Sequence, residues 1–205
     1  MISLGQPDSY GLFLLASIMV SIAVVPILVT AGKAPSFEAP DRISFRRLVQ
    51  VSPLAVVGMV FVGIAVSMLF GMGSVYGRSI GLNNTQVGYF MASITLGTLA
   101  LQYPIGRLSD RFDRRVVIFG VAVIAGIAIS IAGFFGADQF ISLFILMLVF
   151  GGLLFSLYSL FIAHANDYLP PSQMVAMSSG LLMINSAGAV IGSPLAASVI
   201  EFVGT

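Results

Sequence analysis

Residues 106–115, GRLSDRFDRR, put Arg107, Asp110, Arg111, Asp113, Arg114 and Arg115 within ten positions of a chain that is otherwise nearly uncharged. Carboxylates and guanidinium groups at such spacing make ion pairs and charge-assisted hydrogen bonds, chemistry that holds parts of a protein together. Little else in the chain could break bonds. There is no cysteine, which removes disulfides, thiolate metal sites and cysteine nucleophiles. His164 is the single histidine, so any site needing two imidazoles is excluded, an H-E-x-x-H zinc helix among them. Neither a nucleophile with its base nor a metal cluster can be assembled, so no enzyme, metal or other cofactor is expected.

The elements that position these charges follow from composition. Hydrophobic residues make up 58% of the 205-residue chain and charged ones 8%, about a third of the usual share in soluble domains. Such a chain has too little polar surface to face water, and the lipid bilayer is its expected solvent. A net charge of +1 gives no basic face for phosphate backbones, so a nucleic-acid partner is not expected.

Apolar runs long enough to cross about 30 Å of hydrocarbon occur six times, near 10–31, 52–77, 87–106, 116–137, 140–163 and 174–200. Each is expected to be a helix, because a lone segment in lipid must satisfy its own backbone groups. Runs such as FISLFILMLVFGGLLFSLYSLFIA do not alternate, which argues against a membrane β-barrel. The expected fold class is therefore all-α, a polytopic bundle of six transmembrane helices. Turns are marked by Gly81, Asn83 and Asn84, by Asp138, and by Asn166, Asp167, Pro170 and Pro171. These connections are short, so neighbouring helices run antiparallel.

Basic residues set the orientation. Lys33, Arg42, Arg46 and Arg47 lie between spans one and two, and Arg107, Arg111, Arg114 and Arg115 between spans three and four, leaving only Arg78 on the other side. Residues 32–51 and 107–115 are thus expected in the cytoplasm and the N-terminus outside. MISLGQPDSY lacks a basic n-region, so the first span is expected to stay as a helix rather than be cleaved as a signal peptide. The long connection, residues 32–51, separates span one (1–31) from a five-span part (52–205). Its second half is expected to lie at the interface as a helix, with Phe45, Leu48 and Val49 toward lipid and Arg46 and Arg47 toward headgroups.

Gly106, Asp110, Arg111, Arg114 and Arg115 form the pattern G-x-x-x-D-R-x-x-R-R. It resembles the cytoplasmic loop signature of the major facilitator superfamily, secondary transporters with twelve helices in two six-helix halves. If the 32–51 connection matches that family's central linker, the six spans correspond to helices six through eleven. On that register the chain is incomplete: the N-terminal transporter half would be a missing partner and the last helix would be absent. Asp113 stands where the family usually has glycine, and Asp is among the few residues that tolerate a left-handed backbone.

The resemblance implies alternating access, with a small solute bound near the midplane while the halves rock. It implies that the loop acts as a conformational latch, Asp110 resting against a helix N-terminus of the missing half with Arg111 and Arg115 bracing it. Spans two, three, five and six would line the cavity, and their central polar or aromatic residues are Ser67, Ser93, Thr95, Tyr158 and Asn185. Each of these also suits plain helix packing. No charged residue lies near the centre of a span, so a carboxylate that carries coupling protons would belong to the missing half. His164, at the cytoplasmic end of span five, is expected to reach headgroups or the negative helix end. Gly188, Gly192 and Pro194 suit close packing in the last span, against a neighbour or against a second copy. The alternative function is a non-transporting membrane scaffold or sensor derived from a transporter half.

Overall fold

A computed structural model describes residues 11–29 and 44–203. The extracellular N-terminus expected for MISLGQPDSY lies outside the described residues, as do Lys33, Pro35, Glu38, Pro40, Asp41 and Arg42 of the long connection and the final two residues.

The described residues contain α-helix, one 3-10 turn and no strand. The chain divides into two units, Met1–Ala39 and Pro40–Thr205. The first holds α1 (Gly11–Val29), an apolar helix with Pro26 inside it.

The second unit begins with α2 (Phe45–Val51), capped by the Ser44 side chain, which accepts from the Arg47 N–H at 3.3 Å. Then come α3 (Pro53–Ser79), α4 (Asn84–Ser109), α5 (Arg114–Ala132), α6 (Phe140–Asn166) and α7 (Pro171–Val203), with a 3-10 turn, Ala137–Gln139, before α6. Local chemistry sets these boundaries. Ser52 caps α3 and Pro53 occupies its first turn, where a missing N–H costs nothing. Gly81 takes a φ of +89°, the left-handed value glycine permits, and closes the α3–α4 turn. Asn83 and Gln86 then form a reciprocal capping box at 2.9 Å each way.

Among the described residues, four helical segments are long and apolar enough to cross a membrane: Pro53–Ser79, Arg114–Ala132, Ala137–Asn166 and Pro171–Val199. α4 has 26 residues, about 39 Å at 1.5 Å per residue, but carries Asn84, Gln86, Gln102 and Arg107 and is less apolar than the others. Large side chains such as Phe119 (71%), Met183 (75%) and Val190 (74%) are exposed, as lipid contact requires and water would not favour.

Two long helix pairs organise this unit, α4 with α6 and α3 with α7, while α5 packs on α6. Glycine makes both crossings close. A Cβ on Gly97 would collide with the Leu148 carbonyl, and one on Gly152 with the Gly97 carbonyl. On the other pair, a Cβ on Gly188 would strike the Val60 carbonyl and one on Gly192 the Ile64 carbonyl. Backbones that approach this closely gain dispersion contact along both helices, the main attraction available where lipid is as apolar as leucine.

The expected lipid face of α2 is half right. Phe45 and Val49 are exposed, but Leu48 is buried, and a Cβ on Gly180 of α7 would come within 2.7 Å of its Cδ1. The glycine leaves a notch there, and a leucine fills it better than lipid would.

Candidate functional site

The charged loop is built by a helix end and a helix start. α4 finishes at Ser109, and the Asp110 N–H donates to the Gly106 carbonyl at 3.2 Å to cap it. Three residues on, Asp113 opens α5 by accepting the Arg115 N–H at 2.8 Å. Its φ is −55°, and no non-glycine residue among those described has a positive φ. The left-handed backbone expected at this position is therefore corrected: Asp113 serves as an N-cap, for which its short carboxylate is well suited.

Arg114 holds the loop to the corner between α6 and α7. Its Nε lies 2.9 Å from Asp167 Oδ2, and its second terminal nitrogen 3.5 Å from Asp110 Oδ1. Arg115 donates instead to the Tyr168 hydroxyl at 3.0 Å. Arg111 is exposed and makes no ion pair among the described residues. The brace on Asp110 expected from Arg111 and Arg115 thus falls to Arg114, one helical turn away from the carboxylate. The Asp110 side chain remains 70% exposed. Gly106 has open space where a Cβ would stand, so another backbone could approach this side of α4. Arg107 lies over the Tyr103 ring, 5.3 Å from its centroid.

Of the two expectations for His164, the reach to headgroups is not met, while its place in the last turn of α6 keeps it at the negative helix end. It is 3% exposed, with its ring edge-on to Tyr168 at 5.2 Å.

The five candidate cavity residues separate. Asn185 donates from Nδ2 to the Met59 carbonyl at 3.1 Å, so its amide is spent on α3. Ser67 meets Ser193 across the same pair of helices, Oγ to Oγ at 2.7 Å, with the Ser193 N–H donating to Ser67 Oγ at 3.1 Å. Ser93 is fully buried and donates to the Phe90 carbonyl within its own helix. Thr95 is exposed on α4, and Tyr158 is half-buried on α6. Gly188 and Gly192 face α3, and Pro194 follows Ser193 within α7.

Sequence reasoning missed the partners of the arginines: Asp167 reads there only as a turn residue, and Tyr168 does not stand out. It also missed Gln102, whose amide donates to Ser159 at 2.9 Å and joins α4 to α6. The available signal was topological: loops two helices apart must share one end of a bundle.

Comparison with known proteins adds an independent finding. The family model for the Major Facilitator Superfamily matches residues 55–205. Over 180 residues the chain is 31% identical to the uncharacterized MFS-type transporter YcaD of Shigella flexneri serotype 5b. It is equally identical over that length to the protein of the same name from Escherichia coli O139:H28. Each match covers 87% of this chain and 46% of the relative, so the chain spans about half the length of the curated relatives it matches.

Proposed function

Because the chain belongs to the Major Facilitator Superfamily, we propose that it supplies most of one lobe of a secondary transporter that moves a small solute by alternating access. On this reading the spans correspond to helices six through eleven, residues 32–51 form the linker, and a second lobe completes the cavity. The cytoplasmic side is the end with the α4–α5 loop, since the positive-inside bias places the arginines there.

The observation that carries the proposal is the state of Asp110. It is a carboxylate at a helix end, largely exposed and only loosely paired, beside a glycine with open space on its outer side. An anion so placed suits the positively polarised N-terminus of another helix. Gly106, Asp110, Arg111, Arg114 and Arg115 then act as the latch at the cytoplasmic mouth, with Arg114 and Arg115 anchoring the loop to α6–α7. Rocking of the lobes makes and breaks the Asp110 contact.

Thr95 and Tyr158 remain as cavity residues of the five, because α3–α7 packing engages Ser67 and Asn185 and burial removes Ser93. Transport by the full-length protein that carries this chain should fall in the Asp110→Asn variant while membrane insertion stays unchanged. Undiminished transport would remove the latch and leave the loop a role in topology alone.

A further inference from the structure

At the end of the bundle that carries the charged loop, a pocket of about 320 Å³ opens between Ser52, Pro53 and Leu54 at the start of α3, Arg115 of α5, and His164 and Tyr168. Its volume is about ten times the share of one water molecule in the liquid, ample for a tetrahedral anion with a substituent.

Its wall is mixed: Val51, Pro53 and Leu54 are apolar, while Ser52, Arg115, His164 and Tyr168 bring the polar groups. His164 is 3% exposed, lines the pocket, and has no hydrogen-bond partner among the described residues. Among the described residues only Asn166 Oδ1 is a buried polar side-chain atom without a partner, so the His164 ring nitrogens are not sealed in but open on the pocket, where a ligand can reach them. Arg115 is equally distinctive. Arg114 beside it is met by the Asp167 carboxylate, whereas the Arg115 guanidinium is met by the neutral Tyr168 hydroxyl. The Asp113 carboxylate is close in sequence but accepts the Arg115 backbone N–H. The pocket therefore offers a cation without a carboxylate, an imidazole open to the site and the start of a 27-residue helix, where Pro53 has no N–H and Ser52 takes the Ala55 N–H, so the helix dipole rather than a row of free donors favours negative charge.

We propose that this pocket binds a phosphate group, carried by an anionic lipid headgroup or free in solution. The Arg115 guanidinium supplies charge and paired donors, His164 supplies a ring N–H, and the Tyr168 hydroxyl keeps Arg115 turned to the site. This binding is independent of solute transport and adds a use for Arg115 beyond the latch.

The single histidine is a built-in reporter. The full chain, selectively labelled at His164 and held in phosphatidylcholine nanodiscs, is titrated with inorganic phosphate at constant ionic strength, and a second sample replaces part of the lipid with phosphatidylglycerol. A saturable shift of the His164 ring resonances with phosphate identifies a free anion as ligand; a shift only with phosphatidylglycerol identifies a lipid headgroup. Arg115→Gln should weaken the response by at least about tenfold. Arg107→Gln, which removes the same charge from the same loop, should leave it intact. No shift in either sample, an equal response to chloride, or equal losses in the two variants would overturn the proposal. Circular dichroism of Arg115→Gln checks that the helices remain.

Discussion

Arg114 Nε stands 2.9 Å from Asp167 Oδ2, and this pair fastens the start of α5 to the corner where α6 gives way to α7. Asp167 is about half exposed, so solvent screens the interaction, and its contribution to stability is expected to stay below about 1 kcal/mol. Its effect should be local. Asp167→Asn should raise amide exchange in residues 106–115 while the melting temperature changes little, and added salt should mimic it in the parent protein.

The glycine crossings make a sharper stability prediction. Gly97→Val forces a side chain into the Leu148 carbonyl and should destabilise the chain by about 3 kcal/mol or more, separating α4 from α6. Gly88→Ala, on the same helix but with open space around it, should remain within about 1 kcal/mol of the parent. Thermal unfolding in detergent compares the two.

Ser67 and Ser193 share three hydrogen bonds across α3 and α7. A double-mutant cycle of Ser67→Ala and Ser193→Ala should give a coupling of about 0.6–2 kcal/mol, the range for polar pairs between membrane helices. A coupling near zero would mean that the glycines alone hold this crossing.

Orientation has its own test. Arg78 lies in the last turn of α3 and Phe112 beyond the far end of α4, some 26 residues of helix apart. The chain has no cysteine of its own, so single cysteines at these positions should be labelled from opposite faces of the membrane. Labelling of both from one face would end the positive-inside assignment.

Much of the fold was legible in the sequence because lipid imposes one rule, that each apolar run satisfies its own backbone. All five runs of the second unit appear as helices, shifted by a few residues where caps decide: Asn83 starts α4 early, and Asp113 starts α5 two residues before the apolar run. Pairings between helices were less legible. Asn185 reads as helix packing or as a substrate ligand until the Met59 carbonyl is seen opposite it, and Leu48 reads as lipid-facing until Gly180 provides a notch. Both depend on which residue of a distant helix stands opposite, and composition carries no such information. The Gly188 and Gly192 pair is a like case: its spacing shows a close approach, while only the crossing shows that α3 is the partner.

On the proposed reading, Asp110 holds the two lobes together at one membrane face. The most direct measurement is the distance distribution, by double electron–electron resonance, between a spin label near Phe112 and one on the facing lobe of the full-length protein, with Asp110 intact and as Asp110→Asn. The account predicts a shift toward longer distances at that face in the variant, with insertion unchanged. Superimposable distributions would contradict it.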